Sequence, residues 1–431
     1  MKDQRRFLFL QGPHGPFFRL LARKLRATGA EVWRVGFNAG DAAMWWREDG
    51  YIPFQGAPTA WPETLASLLR ERHITDIVIY GDTRPIHAEA VRQAKAAGLR
   101  IHVFEEGYLR PYWVTYERGG SNGHSRLMDL SVADMQAQLA LNAADVPTPP
   151  AHWGDMRQHI FWGAAYHWFV MFHNGRYPLF KPHRALSVRR EARLYSKRLF
   201  LMPFLAMQRA IATRRIQAGG YPYHLALLQL EHDASFQAHS PFADMTAFLQ
   251  VVIDGFAKGA AAHHHLVFKA HPLESGQSPL RRTIRDLARA KGISARVHYV
   301  RGGKLARLLD QARSAVTVNS TAGQQVLWRG IPLKVFGAAV YDKPEFVSDQ
   351  SLPAFLANPH PPQSADYRDY RRFLLQTSQI AGGFYAAKGR RQLMRQLPDL
   401  MLAATDPYGA HAETPARPAL QVVPGRDTQN G

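Results

Sequence analysis

The chain has 431 residues, 46% hydrophobic and 20% charged, which excludes collagen-like, coiled-coil and wholly disordered classes and, at this length, predicts two domains rather than one core. Fifty-four Lys plus Arg against 34 Asp plus Glu leave a formal charge of +20, so the surface favours anionic partners: nucleic acid, acidic lipid, or phosphorylated and carboxylated substrates. Cysteine is absent, which removes disulfides, thiol nucleophiles and zinc–thiolate sites and fits a reducing compartment.

The N-terminus, MKDQRRFLFLQGPHG, is basic and only briefly apolar, unlike a secretory signal. Residues 6–10 (RFLFL) read as a first strand, followed by a tight Gly/Pro loop and a helix through Leu25. Residues 31–35, 76–80 and 99–104 read as further strands, the last two separated by a helix over 88–97. Short apolar strands alternating with helices predict a parallel sheet with crossover helices. The pattern breaks between about 129 and 220, where Pro-rich turns give way to an aromatic and then a basic stretch. It resumes with strands at 223–230, 266–270, 296–300, 315–319 and 332–337. The chain therefore reads as α/β, two Rossmann-like parallel-sheet domains (1–128 and 221–350) with a helical insertion (129–220), C-terminal helices (351–410) that can cross back to the first half, and a disordered tail (411–431). The most apolar stretch, 161–172, is shorter than the roughly 20 residues that span a bilayer. It can lie against a membrane without crossing it.

Ligands of such folds bind beyond the carboxyl ends of the strands. After the first strand, Gln11-Gly12-Pro13-His14-Gly15 lacks the GxGxxG spacing of a dinucleotide site. Gly12 and Gly15 nevertheless permit close backbone approach, the next helix offers N–H groups to an anion, and His14 is a candidate base or anion contact. After the strand at 99–104, Glu105 and Glu106 point to opposite faces, so one carboxylate can reach the crevice as a base or as a stabiliser of an oxocarbenium-like centre. Gly107 permits the turn, and Arg110 can pair with a glutamate or bind a substrate anion.

In the second half, Glu231-His232-Asp233 supplies another carboxylate candidate in Asp233, with a helix cap as the plainer role. Lys269-Ala270-His271-Pro272 ends a strand and places His271 where it can donate to a phosphate. Asn319-Ser320-Thr321 follows a strand and opens a helix, two hydroxyls beside first-turn N–H groups. The run His263-His264-His265 is set aside as a metal site, because neighbours on a strand point to opposite faces.

Taken in order, Glu105-Glu106-Gly107, His271-Pro272 and Ser320-Thr321 resemble the acidic-Gly, HP and Ser/Thr motifs of bacterial CMP-sugar transferases with the GT-B fold. The flanking segments QGPHGPFF, FEEGYLRPYWVT, LLQLEHDASFQAHSPF, FKAHP and VNSTAGQQVLWRGIPLKVFGAAVYD are similar to the capsule polysaccharide synthesis/export family, and within it to the single-module KpsS-type members, over about residues 5–345. The resemblance implies transfer of Kdo (3-deoxy-manno-octulosonate) from CMP-Kdo to a phosphatidylglycerol-type lipid at the cytoplasmic face, starting the capsule linker. It implies that His271, Ser320 and Thr321 hold the CMP phosphate, with Pro272, Lys269 and Asn319 beside them. Glu106 or Glu105 would be the catalytic acid position, and Asp233 a second carboxylate on a retaining path. Gly12, His14, Gly15 and Arg110 are left as acceptor or anion contacts. This chain has Glu-Glu-Gly where many relatives have an Asp in the motif, which leaves open which carboxylate acts.

CMP is already a good leaving group, so no metal or other cofactor is expected. From 176 to 215 eleven basic residues face a single acid, Glu191, among aromatic residues, the pattern of a segment on anionic lipid. Arg189, Arg190, Arg193 and Arg198 are its candidate membrane-surface contacts. Expected partners are a nucleotide sugar, an anionic phospholipid, the membrane surface and capsule-assembly proteins. Nucleic acid is not expected, since the basic residues follow no helix-turn-helix, RNA-recognition or zinc-finger pattern. A sugar-nucleotide epimerase and a non-catalytic glycolipid-binding component of capsule export are the competing readings.

Overall fold

The computed structural model describes residues 4–141, 156–181, 193, 201–272, 274 and 278–409. The tail from 411 onwards lies outside them, as do Arg189, Arg190 and Arg198; Arg193 is helical and exposed. The chain forms two compact units. The first takes its described residues from 4–130, 134–141, 156–181, 193 and 371–409, the second from 131–133 and 201–370.

The first unit is built on a seven-stranded sheet, β1 (Arg6–Phe9), β2 (Glu31–Gly36), β3 (Tyr51–Pro53), β4 (Asp76–Tyr80), β5 (Arg100–Glu106), β6 (Trp113–Arg118) and β12 (Gln379–Ala381), in the order β12-β6-β5-β4-β1-β2-β3. Strands β1 to β5 are parallel, as the strand–helix alternation predicts. Two antiparallel strands extend the edge, β6 on β5 and β12 on β6. Strand β1 explains its own unbroken apolar run. Phe7 and Phe9 enter one core layer with α1 (Phe17–Arg26) and the C-terminal helix Ala387–Leu402, while Leu8 and Leu10 enter the other with residues of helices Trp61–Glu71 and Pro85–Ala96. A strand covered on both faces needs no polar side. In α1, Phe17, Phe18, Leu21 and Leu25 are buried, each stabilising by about 1.5–3 kcal/mol.

The second unit holds a fully parallel sheet, β7 (Tyr223–Leu227), β8 (His265–Lys269), β9 (Val297–Val300), β10 (Ala312–Thr317) and β11 (Leu333–Val335), in the order β11-β10-β7-β8-β9. Its core joins Leu266, Phe268 and Val316 to Phe248, Val252 and Ile253 of helix Met245–Gly259, Ile284 of helix Leu280–Ala290, and Phe355 of helix Leu352–Ala357.

Two expectations change. The 129–220 stretch is not one separate insertion: Tyr166 and Val170 of the helix Met156–Phe172 cluster with Met44 in the first unit, while Met202–Gln217 falls in the second. Strands β3, β6 and β12 carry no clear sequence signal, since β3 and β12 have three residues each and β6 contains Glu117 and Arg118. The C-terminal segment returns to the first unit through β12 and the helix after it.

Glu117 on β6 is fully buried and, among the described residues, forms no salt bridge; the Tyr408, Ser125 and Tyr108 hydroxyls donate to it. Burial pushes its carboxyl up to about 8, with the hydroxyls pulling the other way. Between the ordinary carboxylate range and pH 8 the native state binds the extra proton, so this residue costs stability as pH rises. Glu117→Gln should therefore gain on the wild type by roughly 2–4 kcal/mol from pH 5 to pH 8.5, read as a widening difference in Tm by scanning calorimetry.

Candidate active site

In the first unit the chemistry collects at the carboxyl end of β5, which runs through both glutamates instead of stopping at Phe104. The two carboxylates have different settings. Glu105 lies over Gly81, whose φ of +67° suits glycine and where an added Cβ would sit 3.0 Å from Oε2; Glu105 also accepts the Glu106 N–H at 3.1 Å. Glu106 accepts the Tyr80 hydroxyl at 3.1 Å and is hydrogen-bonded by the Tyr385 hydroxyl. Burial first, and then the charge of Glu106, pushes both tyrosines well above their ordinary range. They keep their protons at neutral pH and act as donors to the carboxylate.

A third group backs this pair. His159 stacks on Tyr385 with ring centroids 4.0 Å apart. Burial lowers its pKa, Glu106 raises it and Arg110 lowers it, and the net direction is down. Tyr385 is itself fixed by Arg390, which donates to the carbonyls of Phe384 and Tyr385 and lies 5.6 Å from the Trp162 ring centroid. The Arg390 guanidinium is lowered by burial and then by neighbouring Arg19. Tyr80, Tyr385, His159 and Arg390 belong to no motif read from the sequence. Tyr385 and His159 are remote in the chain from Glu106, and only the return through β12 brings Tyr385 there.

The loop after β1 differs from the expectation of an open anion cradle. A Cβ on Gly12 would lie 2.5 Å from the Phe18 ring, and one on Gly15 (φ +108°) 3.1 Å from Trp162. The space those glycines leave is filled by aromatic rings. His14 stacks on Tyr166 at 4.4 Å and meets His167 edge-on at 5.2 Å. Beneath it, buried Asp41 takes Phe37 N–H, Arg34, Gln11 and Tyr166, and Arg84 donates to Gln11. Arg110 donates from Nε to the Gly107 carbonyl, closing its own turn and not pairing with either glutamate through that bond. Gly107 is required because the Trp113 carbonyl would lie 2.3 Å from a Cβ there.

In the second unit, His271 and Ser320 follow β8 and β10, which flank β7. Strands two apart are about 9–10 Å from one another, so both residues stand at the same carboxyl edge of the sheet. Ser320 Oγ accepts the Ala322 N–H at 3.2 Å, and its carbonyl accepts Tyr341; Ser320, Thr321 and His271 are partly exposed, Pro272 exposed. Asn319 is buried and serves as scaffold: it exchanges hydrogen bonds with Gln229 at 2.8 and 3.0 Å and donates to the Ser235 and His239 carbonyls. Asp233 accepts the Ser235 N–H at 2.9 Å through Oδ1 and caps a one-turn helix. Glu231 takes the Ser278 hydroxyl, so it and Asp233 hold separate partners. His264 faces His224 at 3.1 Å while His265 faces His298 at 2.8 Å, which separates the histidine run as strand alternation requires. Lys269 is buried at the end of β8, and burial lowers its ammonium to about 8.

Residues 75–385 match the family model described as capsule polysaccharide biosynthesis protein. The chain is 31% identical over 389 residues to the capsule polysaccharide export protein KpsS of Escherichia coli, covering 88% of this chain and 97% of that protein. It is 32% identical over 397 residues to the capsule polysaccharide modification protein LipB of Neisseria meningitidis serogroup B, covering 90% and 93%. Among solved structures, the Thermosulfurimonas dismutans KpsC β-Kdo 2,4 transferase aligns at 12% identity and TM-score 0.39, covering 86% of this chain and 99% of that one. The β-Kdo 2,7 transferase of the same protein aligns at 10% identity and TM-score 0.38, with the same coverage.

The Lys269 setting has a measurable consequence. Its lowered ammonium pKa means that between pH 8 and the ordinary lysine range the native state binds fewer protons than the unfolded chain, so stability rises with pH there. At pH 7 the buried charge is a cost, and Lys269→Met should stabilise the protein by about 2–3 kcal/mol, a Tm gain that shrinks as pH approaches that of an unperturbed lysine.

Proposed function

Because the chain belongs to the capsule polysaccharide biosynthesis protein family, we propose that it is a glycosyltransferase moving Kdo from CMP-Kdo to a phosphatidylglycerol-type lipid. The observation that carries this reading is Glu106, a carboxylate at a strand end held by two protonated tyrosines and backed by His159. In the reaction, the bond from Kdo C2 to the CMP phosphate oxygen breaks, and the electron pair leaves with CMP. The acceptor hydroxyl oxygen bonds to C2, and its proton passes to Glu106. Tyr80 and Tyr385 orient the base without competing for the proton, and the neutral ring of His159 adds no ion pair that would weaken it.

His271, Ser320, Thr321 and Lys269 are proposed to receive the CMP phosphate. A cation with a lowered pKa and hydroxyl donors stabilise a phosphate leaving group electrostatically without a metal. On a retaining path Asp233 would bond to C2 as CMP leaves and then be displaced as a carboxylate by the acceptor oxygen, or would stabilise the oxocarbenium-like centre as an ion-pair partner without forming a bond; its cap engages Oδ1. Glu105, over Gly81, supports the strand end. The anionic donor, sugar carboxylate and lipid phosphate all suit a chain of charge +20, and among the described residues no helix is long and apolar enough to cross a membrane. The basic stretch that includes Arg189, Arg190, Arg193 and Arg198 would add long-range attraction to the anionic inner leaflet.

The test is a transfer assay with CMP-Kdo generated in situ and a short-chain phosphatidylglycerol, read by mass spectrometry. The expected result is a mass gain of one Kdo on the lipid, reduced about a hundredfold in Glu106→Gln and about tenfold or more in His271→Ala. No gain with folded protein and intact donor favours the non-catalytic glycolipid-binding component instead. Replacing Arg189, Arg190, Arg193 and Arg198 together by Ala should weaken sedimentation with anionic vesicles at low salt, and unchanged sedimentation removes that part of the reading.

A further inference from the structure

The helix Met156–Phe172 of the first unit has two faces with opposite duties. Its inward face carries His159 on Tyr385, Trp162 against Gly15, and buried Tyr166, whose hydroxyl takes Asn38 and reaches Asp41. Val170, buried beside Met44, completes that stripe at the three- and four-residue spacing of one helix side. The outward face holds Ile160, Phe161, Ala164, Trp168 and Phe172 at the same spacing. Ile160 is 48% exposed, Phe161 61%, Trp168 47% and Phe172 65%. A helix facing water normally turns polar residues outward; this one turns out aromatic residues along about 18 Å of its length.

We infer that this outward stripe seats the protein on an anionic lipid bilayer, with Phe161, Trp168 and Phe172 entering the interface. Three features select that occupant. Trp and Phe on one side of a helix match the headgroup–acyl boundary. Exposed cations close both ends, Arg157 before the stripe and Arg176 and Lys181 after it, and no acidic residue occurs from Met156 to Lys181. A second copy docking there by two-fold symmetry would bring one all-positive surface against another, which is repulsive. The inference deepens the lipid-acceptor reading, on which its purpose rests. One helix thickness, about 10 Å, separates the stripe from the side chains that back Glu106, so a protein seated this way keeps its candidate base close to the bilayer surface.

The experiment uses full-length protein and mixed phosphatidylcholine–phosphatidylglycerol vesicles, without donor. The variant Phe161→Ser/Trp168→Ser/Phe172→Ser, all outward-facing, should keep its Tm and lose about tenfold or more in vesicle partitioning. The wild-type protein should show a blue-shifted tryptophan emission on vesicle addition that Trp168→Phe lacks. Unchanged partitioning of the triple variant overturns the inference, as does a dimer, measured by light scattering, that dissociates in the variant while vesicle binding persists. Transfer to the water-soluble short-chain lipid should survive the triple substitution. Failure of that transfer in the wild type counts against the transferase reading alone, because vesicle binding is measured without it.

Discussion

A parallel sheet buried on both faces leaves little room for polar side chains along its strands, and its crossovers return every chain end to the same edge. Polar chemistry is therefore driven to the strand ends. The placement of the candidate residues within each unit follows from this constraint. In the first unit it places Glu105 and Glu106 beyond the apolar part of β5. In the second it gathers His271, Lys269 and Ser320 around the end of β7. The apolar run RFLFL, read as a strand from its residues alone, is the simplest expression of the rule, since its alternate residues fill two different core layers.

Within the edge, backbone space is allotted by glycines in a way that residue type alone does not reveal. Gly81 takes a positive φ and leaves the place that Glu105 occupies. Gly12 and Gly15 look in sequence like a phosphate cradle, yet the rings of Phe18 and Trp162 occupy their open sides. The same residue type thus serves a carboxylate in one loop and aromatic packing in another. The neighbour decides, and neighbours come from distant parts of the chain.

The strands were legible because apolar periodicity is local, and so were the acidic, HP and Ser/Thr positions near their ends; the ends themselves were not, since β5 continues through Glu106 and β7 stops at Leu227. The roles of those positions were less legible. Asn319 reads as a ligand residue and is used as a tie to Gln229; Asp233 carries a cap; Arg110 closes its own turn. Each is a short polar residue whose hydrogen bonds can be spent on backbone or on substrate, and spacing does not distinguish the two. Tyr80, Tyr385 and His159 carry no local signal, because single tyrosines and histidines in apolar surroundings are ordinary core residues until a carboxylate is placed among them.

The amino-acid sequence by itself determined the α/β class, the two runs of parallel strands, the charge that suits anionic partners, and the family. These rest on composition, on periods of two and 3.6 residues, and on short motifs, all of which are read within a few residues. Only the tertiary structure decided that the 129–220 stretch is shared between two units, that β12 brings Tyr385 back to Glu106, and that one helix presents the back of the site on one side and bare aromatic residues on the other. Those facts depend on pairings across more than two hundred residues and on which helix face finds a partner, and neither leaves a local mark in the chain.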